Sequence, residues 1–279
     1  MRHLDAMVQT LEGIASIMRI VRLPGIHHDA NAVLLIGSTE AILVDSGTAW
    51  YQLLQQERIV GQIGDDVTLR EIVLTSRRYP FSGGSASISE RFDKAPIMAH
   101  SAATSSLATG DFFTTWANRF DSDMPSIKAI DLDLNRPLEL DGDVVDFIEA
   151  PGPSSCNLMV HIPSAKTVIA GALLPRADRP MRWDVPTGNL IDGRESLERL
   201  KELGAEKLIP MHGPSLKGSG HISETLQRHI ATLESIIENQ GVFPRSWPKP
   251  AHTSLWHEPV PAWPRKEQET NQADGKSLN

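Results

Sequence analysis

Short apolar runs rich in β-branched residues open the chain. They cover Ile17 to Val21, Ala32 to Ile36 and Ala41 to Val44. The Gly37-Ser38 break between the last two predicts a hairpin, which Asp45-Ser46-Gly47 ends. A helix is expected from about Trp50 to Gly61, then a strand at Ile72 to Leu74. Gly83 and Gly84 mark a loop-to-helix transition into Ser85 to Arg91, where close backbone approach demands small residues. Pro96 to His100 reads as another short strand. From Ser101 to Pro125, Phe112, Phe113, Trp116 and Phe120 are spaced close to a helical stripe, which predicts packing against the core or as a lid.

The second half repeats this logic. Leu138 to Leu140, Val144 to Glu149, Leu158 to Ile162 and Thr167 to Ala170 are strands separated by Asp-Gly, Pro-Gly-Pro and Pro-Ser turns. Asp192 to Leu203 is an amphipathic helix with Leu197, Leu200 and Leu203 on one face and Gly204 as its stop. Lys207 to Pro210 is a short buried strand, and Ser223 to Gln240 carries Leu226, Ile230, Leu233 and Ile237 at helical spacing. Strands and helices in two similar halves predict an α/β chain folded as a four-layer αββα sandwich over residues 17–240. Residues 1–16 form an N-terminal extension, and 241–279 an extended tail. That tail holds Trp247, Trp256 and Trp263 among six prolines; proline prevents a regular ladder or helix, and exposed tryptophans are costly, so a protein partner or a second subunit is expected to cover them.

Charge narrows the function. Lys and Arg total 27 against 35 acidic residues, and the net charge of −8 argues against broad nucleic-acid or membrane affinity. Cys156 is the single cysteine, which excludes an internal disulfide and a cysteine-based zinc site. Asp5, Glu12 and Arg19 interrupt the apolar stretches near the N-terminus, so neither a signal peptide nor a membrane span is expected there, and a cytoplasmic address fits best.

Several segments occur in an order that resembles the metallo-β-lactamase superfamily: Asn31 to Ile36 followed by Ala41 to Gly47, Glu71 to Gly84 (EIVLTSRRYPFSGG), Ala150-Pro151-Gly152, Val168 to Leu174 (VIAGALL), Glu195 to Leu200, and Ile209 to Pro214 (IPMHGP). The resemblance implies the fold and a metal-dependent hydrolase acting on an ester, thioester or lactone. It also implies ligands where this chain has Ser76, Arg78, Pro80, Phe81, Pro153, Ala172 and His212. Only His212 keeps a ligand type. Arg carries donors only, Pro and Phe offer no side-chain lone pair, and a Ser hydroxyl is a poor ligand beside imidazole. No cofactor is therefore expected, and the hydroxide that a bound cation generates in such hydrolases is not available by that route.

Three functions remain open. The first is a catalytically degenerate protein acting as a structural or regulatory subunit. A second is a sensor that holds an anionic small molecule with Arg77, Arg78, Tyr79 and His212, because a guanidinium fork suits carboxylate or phosphate. The third is an enzyme with altered chemistry, for which His212, Tyr79 and Cys156 are the candidate catalytic residues. Asp45, which orients the metal loop in the family, is expected to pair with Arg77 or Arg78.

Overall fold

Alternation along the strands sorts side chains into separate layers. In the computed structural model, which describes residues 18–242, β1 (Arg19–Leu23), β2 (Ala32–Ile36), β3 (Glu40–Val44), β4 (Thr68–Leu74), β5 (Ile97–Ala99) and β6 (Ala129–Asp131) lie side by side in that order. The first three are antiparallel, and β3 to β6 run parallel. A second sheet contains β7 (Leu138–Leu140), β8 (Asp143–Glu149), β9 (Leu158–Ile162), β10 (Thr167–Ile169), β11 (Lys207–Ile209) and β12 (Leu216–Lys217), again in sequence order, with β10 and β11 its parallel pair.

On β2, Val33 and Leu35 join Ile42, Val44 and Val73 of the first sheet and Val145, Phe147, Val160 and Ile169 of the second in one layer between the sheets. Ala32, Leu34 and Ile36 point the other way, toward helices. A one-residue slip would reverse both sets, so the buried pattern fixes the register. Burying each such Leu, Ile or Val contributes roughly 1.5–3 kcal/mol. The outer layer on the first sheet holds Ile59 and Ile63 of α1 (Gln52–Ile63), Ile88 of α3 (Ser85–Arg91) and Leu107 of α4 (Ser101–Thr109). On the second sheet, Leu197 and Leu200 of α5 (Leu190–Glu202) pack with Leu226, Ile230 and Leu233 of α6 (Ser219–Glu238). A four-residue turn of helix, α2 (Tyr79–Ser82), precedes α3. Helix, sheet, sheet, helix is the expected sandwich.

Local chemistry sets the helix ends. The Asn189 side chain accepts from the amides of Ile191 and Asp192 to cap α5, and Gly204 closes it at φ 61°. The helix α6 starts four residues before the expected Ser223, because Gly218 turns the chain at φ 87° and Ile222 is already buried.

The aromatic stretch departs from its helical spacing. Helix α4 stops at Thr109, where Gly110 adopts φ 62°, and the chain then runs through turns. Phe112 and Phe113 stack on each other in the open, whereas Trp116 and Phe120 are buried. Strands β6 and β12 were not expected from sequence; their three and two residues are too short for a periodic signal. Residues 1–16, and the tail with Trp247, Trp256 and Trp263, lie outside the described residues. Among the described residues no helix is long and apolar enough to cross a membrane.

Candidate functional site

The loops that would frame a metal in this fold converge, and carbon occupies their centre. Phe81 and Ala172, both at expected ligand positions, pack with Ala30 and Met211 in a separate apolar cluster. All four are at most 2% exposed. Backbone hydrogen bonds stitch their segments together. The Ala30 amide donates to Pro80 O at 2.9 Å, Asn31 N to Met211 O at 2.6 Å, and Met211 N to Leu174 O at 2.9 Å. Asn31 adds its side-chain amide to Pro210 O (2.8 Å) and Gly213 O (3.0 Å), tying the loop before β2 to the end of β11.

The glycines of the metal-loop frame work as expected. A Cβ on Gly83 would lie 2.6 Å from the Tyr79 ring, and one on Gly84 would lie 3.0 Å from Ser46 O. At Gly171, with φ 54°, a Cβ would meet Leu158 O at 2.7 Å and Thr75 Oγ1 at 3.0 Å. The ends of the two sheets thus touch at Thr75, whose carbonyl also accepts from Leu158 N at 2.8 Å.

Asp45 does not pair with an arginine. Its Oδ1 accepts from Thr75 N and its Oδ2 from Thr75 Oγ1, both at 2.8 Å. Short-range backbone geometry wins here: Asp45 ends β3 at φ 62°, directly beside the end of β4. Burial pushes its carboxyl up to about 7, against the pull of the two Thr75 hydrogen bonds. Asp29 behaves similarly. It accepts from Thr48 N at 2.9 Å, and burial raises it to about 6.

The remaining candidate residues are dispersed among packing roles. Arg77 spends its donors on Thr114 O (3.3 Å), Ala102 O (3.2 Å), Pro186 O (3.3 Å) and Thr187 Oγ1 (3.0 Å), which ties the start of α4 to two loops. Arg78 is fully buried with its guanidinium 5.3 Å from the Trp116 ring centre, and Arg182 sits 4.6 Å from that ring. Ser76 Oγ accepts from Arg78 N at 3.3 Å. The Tyr79 hydroxyl accepts from Ser122 Oγ at 2.8 Å, and burial raises its pKa. Cys156 has no solvent exposure, lies in the core beside the first sheet, and has its Sγ 3.3 Å from Ser154 Oγ. Pro153 is buried next to Gly152, where a Cβ would strike the Gly193 backbone at 2.3 Å. His212 is 9% exposed and donates its amide to Pro175 O at 2.9 Å.

Among the described residues no other histidine rebuilds a centre. His27 and His28 form a turn; His27 stacks on Tyr51 at 5.5 Å, and His28 meets Trp50 and Phe120. His100 caps α4 and contacts Glu149, and the Nε2 of buried His229 donates to Ala177 O at 3.1 Å, with burial lowering its pKa to about 4. Among the described residues no three His, Cys, Asp or Glu side chains are grouped to hold a metal. The donor set that the fold implies for a divalent cation does not fit these residues, because two of its positions are packed hydrocarbon.

Sequence reasoning missed three participants: Ala30 and Met211, which complete the apolar cluster, and Thr75, which takes Asp45. Each is an immediate neighbour of a motif residue (Asn31, His212 and Ser76 respectively), and that adjacency was the available signal.

A sandwich of this topology, with the loops arranged in this way, defines a class. The metallo-beta-lactamase superfamily model matches residues 27–212, and the chain belongs to that superfamily. Among solved structures it is similar to the BLEG-1 B3 metallo-beta-lactamase, with 18% identity, TM-score 0.63, and 74% of this chain against 97% of that one. It is also similar to TTHA1623, solved in a di-iron-bound form, with 24% identity, TM-score 0.59, and 74% against 98%. ETHE1 from Myxococcus xanthus shares 19% identity at TM-score 0.60, over 82% and 93% of the two chains. These likenesses concern the fold. No curated protein matches the chain.

Proposed function

We propose that this chain is a catalytically degenerate member of the superfamily that serves as a structural or regulatory subunit, or as a partner-binding protein. One observation carries the reading: Phe81 and Ala172 stand at expected ligand positions, and with Ala30 and Met211 they make a buried apolar cluster at the centre of the loop frame. Refilling a polar site with hydrocarbon stabilises the fold and removes the donors a cation needs. The tail with Trp247, Trp256 and Trp263 belongs to the same proposal as the docking device, for a protein partner or for another copy.

Neither alternative finds comparable support. An anion sensor needs guanidinium donors facing a ligand, and those of Arg77 are engaged with three carbonyls and a hydroxyl. Altered hydrolysis needs an accessible nucleophile, and Cys156 is enclosed. The test is turnover of p-nitrophenyl acetate, a thioester and a lactone, with and without added zinc, beside His212→Ala. The expected result is no rate above that of the variant under any condition. A rate that requires His212 or is lost to a chelator overturns the proposal.

A further inference from the structure

Arg77 carries its charge into the interior without a carboxylate to meet it. The residue is 5% exposed, and among the described residues no carboxylate oxygen lies within the 4.0 Å of an ion pair with it. Asp111, whose field reaches it, is already the acceptor for Phe113 N, Thr114 N and Thr114 Oγ1. Buried charges are ordinarily paired, because an unpaired one gives up its hydration with no Coulombic return.

Three of the four acceptors of Arg77 are main-chain carbonyls, which fix the guanidinium in place. The fourth, Thr187 Oγ1, is exposed and shared. Besides Arg77 Nη2 at 3.0 Å, it accepts from Ser155 N at 3.0 Å and Ser155 Oγ at 3.2 Å. A neutral hydroxyl has two lone pairs to offer these three donors, whereas an anionic oxygen meets all three with stronger, charge-assisted bonds. Thr187 reaches this position only at φ 64°, a region that β-branched residues rarely adopt. A guanidinium, a backbone amide and a hydroxyl thus converge on one oxygen of a strained residue. Ser155 is exposed as well, so the junction opens to solvent.

We propose that Arg77 Nη2, Ser155 N and Ser155 Oγ form a phosphoryl-binding site on the rim of the chain, which the Thr187 hydroxyl fills in this conformation. Donors arriving from three directions suit the acceptor shell of a phosphoryl oxygen better than the in-plane lone pairs of a carboxylate. The three carbonyls keep Arg77 where it is, so only the hydroxyl has to give way. Arg78, Tyr79 and His212 supply none of the donors, and the site does not depend on whether the vacated metal centre is catalytically silent. The phosphoryl group has two possible sources. One is a free phosphate or phosphate monoester that displaces the hydroxyl. The other is Thr187 itself: on a kinase, Oγ1 loses its proton and bonds to the γ-phosphorus of a nucleoside triphosphate, and the nucleoside diphosphate leaves.

The test uses the full chain and three variants, Thr187→Asp, Thr187→Asn and Thr187→Gly, all of which tolerate a left-handed backbone better than threonine and so keep the fold. Asp and Asn differ in charge at nearly equal shape. Thr187→Asp should melt about 2–4 °C above Thr187→Asn at pH 8 in chloride buffer, because its carboxylate meets the buried guanidinium. Inorganic phosphate is then titrated while the Ser155 amide resonance is followed by NMR. One guanidinium and two neutral donors predict a dissociation constant on the order of 1 mM for wild type, and about tenfold tighter binding for Thr187→Gly, which lacks the competing hydroxyl. Mass spectrometry of the chain from its native cells separates the sources. A phosphate on the Thr187 peptide assigns the group to Thr187, and its absence beside a phosphate-shifted Ser155 amide assigns a diffusible ligand. An Asp variant no more stable than the Asn variant overturns the proposal. A Ser155 amide that phosphate leaves unmoved in Thr187→Gly overturns it equally.

Discussion

Phe81→Ala probes the vacated centre directly. Phe81 has no solvent exposure and packs with Ala30, Ala172 and Met211. Truncation removes a ring and leaves a void lined by two alanines and a methionine, of which only the methionine has the flexibility to move in. The backbone around the void is held by Ser46 N and Ser46 Oγ, which donate to Phe81 O at 2.7 and 2.8 Å, so the loop itself cannot collapse inward. The loss should sit in the usual range for buried aromatics, about 3–5 kcal/mol. Phe81→Leu keeps the site apolar and should cost only about 1–1.5 kcal/mol. Urea denaturation followed by tryptophan fluorescence gives both values, and an unchanged slope against denaturant confirms that the native state is what changed. If the centre were a hydrated cleft, water would occupy the truncated volume. A loss below about 1 kcal/mol for Phe81→Ala would refute the reasoning.

Other consequences are as specific. The Asp45 carboxyl is raised from 3.8 to about 7, so its protonated form favours the folded state below pH 3.8 and that contribution is lost as pH rises through about 7. Asp45→Asn keeps an acceptor for Thr75 N and offers a donor to Thr75 Oγ1; it should raise stability at pH 8 by up to about 4 kcal/mol and change little at pH 4, as read by urea titration at each pH. The opposite trend, a loss at pH 8, would mean that a cation faces Asp45. Arg77→Lys should destabilise almost as much as Arg77→Ala, by about 2–4 kcal/mol, because an ammonium cannot reach four acceptors on α4 and two loops at once; rescue by lysine in thermal melts would show that charge alone matters. Cys156 should react with a thiol reagent only at the rate of unfolding, and prompt labelling in native buffer would contradict its enclosure.

The strands and the loop frame were legible because a sandwich buries both faces of its central strands, and Ala32 to Ile36, Leu158 to Ile162 and the glycine pair at 83 and 84 carry that demand in their side chains. The vacated ligand positions were legible for the same reason: Pro80, Phe81 and Ala172 stand where the frame leads the eye. What replaced the ligands was not. Ala30 and Met211 are ordinary apolar residues whose convergence depends on loops far apart in sequence, closed by Asn31 against Pro210 and Gly213. The aromatic run from Phe112 to Phe120 misled because Gly110 ends the helix and periodicity alone cannot register that stop. Asp45 misled through charge: its family role beside the metal loop suggested a pair with the arginines of that loop, but the backbone put Thr75 nearer.

Metal content, measured by inductively coupled plasma mass spectrometry on protein purified without an affinity tag, tests the central claim most directly. It is taken before and after incubation with zinc, manganese and iron. The account predicts less than about 0.1 metal per chain in every case, since one imidazole and an apolar cluster cannot supply the three or so protein ligands a catalytic centre takes. Near-stoichiometric metal that Phe81→Ala or His212→Ala removes would contradict it and restore the metal-dependent hydrolase.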